Sequence, residues 1–190
     1  MLSTGLMAQT PVVLKAARVG HVLVVEDVFL NGAGPFRMGI DTGNASSLIR
    51  PEVARRLGAR AVYAVDQVTA AGARRVPVVV LDQVTTGALT ERAVEAMIAD
   101  LRLDVLDGVL GQSWLARHDY LLDYRNRRVV IDGLPPERGL SVALHFADGR
   151  PLVSAKVDGE HAELVLDSGA PAVVLFQCSA RGGQQATLAT

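Results

Sequence analysis

The chain has 190 residues, 49% hydrophobic and 21% charged, which is enough for one ordinary domain with a buried core and excludes wholesale disorder. Basic and acidic residues number 19 and 20, and a net charge of −1 offers no general field for nucleic acid or an anionic membrane. A single cysteine, Cys178, excludes an internal disulfide framework, and aromatics at 4% make the core aliphatic.

Met1 to Pro11 lack the cationic start, apolar run and small-residue cleavage site of a signal peptide. That favours a cytoplasmic protein; a start placed downstream of a true signal would suit a periplasmic or secreted one. No apolar run approaches the roughly 20 residues of a membrane span. Short Val- and Ile-rich runs between turn residues predict a mostly-β chain. Val22–Val25 and Val28–Leu30 on one side and Phe36–Ile40 on the other flank Asn31-Gly32-Ala33-Gly34-Pro35 as a first hairpin. Val62–Ala70 and Val76–Leu81 flank Ala71-Gly72-Ala73-Arg74-Arg75 as a second, and Tyr120–Tyr124 and Arg128–Ile131 form a third. Pro51 opens a short helix that Gly58 ends, and Ser113 is placed to cap a second over Trp114–His118. Thr90–Asp100 suits helix by propensity and strand by the run Val94–Ile98. The Pro/Gly-rich stretch 133–139 reads as a linker, after which apolar alternation restarts at Leu140.

An internal repeat joins the two parts. Asn31 through Ile40 leads into Asp41-Thr42-Gly43, and Asp158 through Leu166 leads into Asp167-Ser168-Gly169; each copy is turn, strand, then Asp-[Thr/Ser]-Gly. An ionisable Asp between apolar strands is costly to bury alone. The Gly two positions later permits a sharp turn and a close backbone approach, and the intervening hydroxyl can bond to a neighbouring main chain. Two such loops face to face would bring two carboxylates to one water, and like charges that close share a proton, one acting as acid and the other as base. The triplet by itself is a common turn; its flanking apolar strands and its second copy lift it above that.

Three elements in order resemble a retropepsin-like aspartic protease of the bacterial type, over about residues 13–132. Phe36 to Ser46 resembles the catalytic loop. The Val62–Leu81 hairpin, with Ala70, Ala71, Gly72 and Ala73 at its tip, resembles the flap that closes over substrate. Asp107 to Leu115 resembles the hydrophobic-hydrophobic-Gly element and short helix beneath that loop. The resemblance implies a closed β-barrel lobe with few short helices, with Asp41 a catalytic carboxylate, Thr42 a cross-lobe hydroxyl grip, and no cofactor. Asn44 stands where the family usually has a small residue. By the repeat, Asp167, Ser168 and Gly169 belong to a second, similar lobe.

That second lobe is incomplete, because too few residues follow Asp167 for another flap and another hydrophobic-hydrophobic-Gly element. Residues 140–176 then form a partial lobe, and 177–190 read as a disordered tail after a truncation or frame change near Phe176. Three arrangements stay open: Asp41 with Asp167 in one chain, Asp41 with its mate in a homodimer of first lobes, or no pair at all. The functional expectation is an aspartic endopeptidase acting on a peptide or protein substrate. The alternative is an inactive truncated derivative that serves as a peptide-binding or dimerisation module. Elsewhere, Gly111-Gln112-Ser113-Trp114-Leu115 lacks the second Gly of a nucleophile elbow, and His118 reads as a surface histidine. The four histidines and Cys178 have no metal-ligand spacing. The sequon Asn44-Ala45-Ser46 falls within the loop of interest and follows no recognisable secretory signal, so it is not read as a glycosylation site.

Overall fold

The computed structural model describes residues 10–69, 72–101, 103–133, 139–157, 159–179 and 183–189. In chain order these form β1 (Val12–Lys15), β2 (Ala17–Val19), β3 (Val22–Leu30), β4 (Ala33–Ile40), β5 (Ser47–Ile49), α1 (Pro51–Arg56), β6 (Tyr63–Thr69), β7 (Gly72–Thr86) and β8 (Leu89–Ile98). There follow β9 (Gly108–Leu110), α2 (Gln112–Leu115), β10 (Tyr120–Asp123), β11 (Arg128–Ile131), β12 (His145–Ala147), β13 (Arg150–Val157), β14 (Glu160–Val165), β15 (Val173–Ser179) and β16 (Gly183–Ala189).

The β3–β4 hairpin is set by Asn31 and Gly32, both at positive φ (50° and 77°), the backbone that a two-residue turn between right-twisted strands needs. In the first half of β3, Val22–Val25 are all buried because both faces are covered. Leu23 and Val25 enter the main core with Phe36, Ile40 and Trp114, while Val22 and Val24 pack on Leu106. The register against β4 then shifts between Val25 and Val28, and Glu26 and Asp27 emerge into solvent.

One sheet runs β2-β3-β4-β9-β5-β8-β7-β6, and an added β3–β7 pairing (Val28–Leu30 with Val84–Thr86) closes it into a barrel. Closure is possible because β7 is long: its first part pairs with β6, its remainder with β8, and its end with β3. Against this barrel lies the small sheet β1-β11-β10. The fold is mostly β, with a closed barrel lobe and two short helices, as the sequence led one to expect.

Several local readings change. Thr90–Asp100 is strand over Leu89–Ile98, because pairing to β7 and β5 outweighs its helical propensity. In the second hairpin Gly72 and Ala73, expected in the turn, are already paired with Thr69 and Val68. α2 starts at Gln112 after Gly111, and Ser113 does not cap it: the Ser113 hydroxyl instead bonds Ser47 Oγ and Glu95 O. His118 is not a surface residue. Its side chain is 8% exposed, with Nδ1 3.1 Å from Asp132 Oδ2 and Nε2 3.2 Å from Glu91 Oε1.

Beyond the linker, whose residues 134–138 lie outside the described ones, β12-β13-β14 form an antiparallel sheet. The β13–β14 hairpin runs into Asp167-Ser168-Gly169 as β3–β4 runs into Asp41-Thr42-Gly43, and β15 follows as β5 does. The tail expected to be disordered from 177 differs: β15 and β16 pair from Val173↔Ala189 to Ser179↔Gly183.

Candidate active site

Asp41 leaves the barrel at the end of β4, where its N–H still donates to Leu110 O of β9 at 3.1 Å. The segment behind it forms the floor of the loop. Gln112 N–H donates to Asn44 O and Gln112 Nε2 to Thr42 O, each at 2.8 Å, while Gly111 N–H donates to Ser47 Oγ at 3.2 Å. A Cβ on Gly111 would sit 2.8 Å from Asn44 O and closer still to Ser46 O, so only glycine lets the two chains pass. That explains why the Gly108–Leu115 motif accompanies the Asp-Thr-Gly.

The second loop leaves β14 in the same manner, with Leu166 N–H donating to Pro151 O at 3.0 Å. The two loops grip each other through four reciprocal hydrogen bonds. Thr42 Oγ1 donates to Leu166 O (2.6 Å) and Ser168 Oγ to Ile40 O (2.9 Å). The same hydroxyls accept, Thr42 Oγ1 from Ser168 N–H and Ser168 Oγ from Thr42 N–H, both at 3.0 Å. Residues 126 apart in sequence are thereby related by a local two-fold, and Thr42, 6% exposed, is almost sealed by it.

The grip carries the carboxylates with it. A Cβ on Gly43 would overlap the Asp167 carboxyl, its oxygens at 2.6 Å, and one on Gly169 would lie 2.8 Å from the Asp41 carboxyl carbon. Each carboxylate thus rests on the other loop's glycine. Each also accepts its own loop's N–H, Asp41 Oδ1 from Gly43 (3.1 Å) and Asp167 Oδ1 from Gly169 (2.8 Å). The surroundings are unequal: Asp41 is half-buried and Asp167 exposed. Burial, and then the neighbouring Asp167, push the Asp41 carboxyl above its ordinary value, against donors at Asn44 and Gly43 that pull it down.

A cleft of about 370 Å³ opens beside Asp41 and Gly169, walled by Val22, Leu101, Leu106, Val109 and Pro171, with His21 among its lining residues. His21 Nε2 lies 2.7 Å from Gly169 O and ties the second loop to the β2–β3 turn. Of the expected flap residues, Ala70 and Ala71 lie outside the described residues, while Gly72 and Ala73 begin β7. Among the described residues no group of three His, Cys, Asp or Glu side chains is arranged to hold a metal ion. The sequence reading noted Asn44 only as a departure from the family pattern, and His21 escaped it because only folding brings residue 21 to residue 169.

Residues 25–114 match the family described as Aspartyl protease. In fold the chain is similar to a retropepsin-like aspartic protease from Rickettsia conorii, at 20% identity and a TM-score of 0.51, over 64% of this chain and 89% of that one. The barrel has the retropepsin-like fold. No curated protein matches the chain. Leu166–Gly169 of the same chain pack against the Asp41 loop of this barrel.

Proposed function

We propose that this chain is an aspartic endopeptidase that hydrolyses peptide bonds with a water activated between Asp41 and Asp167. The observation that supports the reading is the four-bond Thr42–Ser168 grip, which sets each carboxyl against the other loop's glycine. Two carboxylates so close hold one proton between them over a range of pH. The ionised member takes a proton from the water as its oxygen attacks the carbonyl carbon, and the protonated member donates to the carbonyl oxygen. The resulting diol collapses as a proton passes to the leaving nitrogen, the C–N bond breaks, and acid and amine products leave. No covalent intermediate forms on the protein.

The substrate lies extended, one apolar side chain in the cleft walled by Val22, Leu106 and Val109. The β6–β7 hairpin, to which Gly72 and Ala73 belong, acts as the lid over it. The test is proteolysis of an unfolded protein substrate between pH 4 and 7 by the parent chain, Asp41→Asn and Asp167→Asn. Loss of activity in both variants is expected. Loss in Asp41→Asn alone points to a homodimer of first lobes. A parent that binds peptide but never cuts it is a binding module.

A further inference from the structure

The two halves of the grip are not equivalent. Beyond its glycine N–H, Asp41 has a second donor: Asn44 Nδ2 lies 2.7 Å from Asp41 Oδ2. With Gly43 N–H on Oδ1, both oxygens of that carboxyl are occupied from within one loop. The residue in the corresponding place after Gly169 is Ala170, which has no side-chain donor to offer Asp167. Asn44 is free for this task, because its backbone carbonyl alone ties it to the floor through Gln112 N–H.

We propose that Asn44 is a positioning residue for Asp41: its amide pins the carboxyl plane through Oδ2 and favours the charged carboxylate. The inference rests on the reading of Asp41 and Asp167 as a working pair. An amide N–H stabilises an ionised acceptor more than a neutral one, which offsets part of the cost of placing Asp41 against Gly169 in a half-buried site. The titratable groups around it are few. Asp167 faces it from the second loop and opposes its ionisation, and His21 faces it from the β2–β3 turn across the cleft. Tyr124 lies within electrostatic reach of both Asp167 and Arg18. Asn44 therefore lowers the pH at which the pair gains its working charge.

The experiment follows the carboxyl directly, by carbon-detected NMR titration of the full chain, with the Asp41 signal assigned by its loss in Asp41→Asn. In Asn44→Ala the Asp41 midpoint is expected to move up by roughly one pH unit, the size of one hydrogen bond to a charged group. Asn44→Ser, which keeps a short donor, is expected to recover part of that shift. In the same series the acidic limb of kcat/KM moves up with the midpoint while KM changes little. A midpoint unchanged in Asn44→Ala, with the melting temperature intact, overturns the role of Asn44. Because the titration is read without turnover, an inert parent chain with a shifted midpoint overturns only the protease reading.

Discussion

Asp41 sits half-buried beside a second carboxylate and depends on N–H donors at Gly43 and Asn44. Its carboxyl in the folded chain lies above the 3.8 of an ordinary aspartate, so between 3.8 and the folded midpoint the native state holds more protons than the unfolded one. Stability therefore falls as pH rises through that window. Asp41→Asn removes the charge and keeps an amide of the same shape, so it is expected to melt roughly 2–4 °C higher than the parent at pH 7, the shift that about 1 kcal/mol gives a chain of this size. At pH 3 the difference should vanish, and calorimetry at both pH values checks it. A residue that weakens the fold where it stands is a mark of function more than of packing.

At the scale of elements, β9 and α2 matter more than their length suggests. Trp114 and Leu115 are fully buried beneath the barrel, and Gly108, Gly111 and Gln112 hold the back of the Asp41 loop. Gly111→Ala would press a methyl into Ser46 and Asn44 backbone oxygens that cannot move without displacing the loop. The expected cost is about 1–3 kcal/mol, the range of overpacked interiors, read as a lower urea midpoint with an unchanged slope. Activity should fall further than stability, because the displaced backbone carries Asn44 and through it Asp41. Much of this was legible in sequence: the Gly-x-x-Gly spacing before a Trp, the turn Asn31-Gly32 and the proline at Pro51 all stand where their backbone geometry requires. The strand Leu89–Ile98 and the end of β7 were not legible, since what makes them strands is a partner far away in sequence.

In the whole molecule the barrel lobe and the β12–β14 sheet differ in how well they are covered. The barrel buries Leu23, Val25, Ile40, Leu81 and Trp114 completely, whereas Leu140 is 99%, Val142 60% and Phe146 60% exposed. Segments with so few buried contacts open at low free energy, and the grip at Thr42 and Ser168 is a main tie between them and the barrel. In hydrogen exchange, β12–β14 should lose protection before β3, β4 and β7 do. The double variant Thr42→Val, Ser168→Ala should speed exchange in β13 and β14 by at least about tenfold while sparing the barrel strands; equal loss in both would show one cooperative unit instead.

By itself the sequence determined the β-rich class, the hairpin turns, the paired Asp-[Thr/Ser]-Gly triplets and the glycine-bearing floor beneath the first of them. These are local: each depends on backbone preferences and side-chain period within a few residues. Only the tertiary structure decided that Asp167 comes to Asp41 within one chain, that Asn44 donates to the carboxyl beside it, and that His21 reaches Gly169. Those depend on hydrogen bonds between residues more than a hundred positions apart, or on which rotamer a closed loop permits, and neither is written in any local pattern.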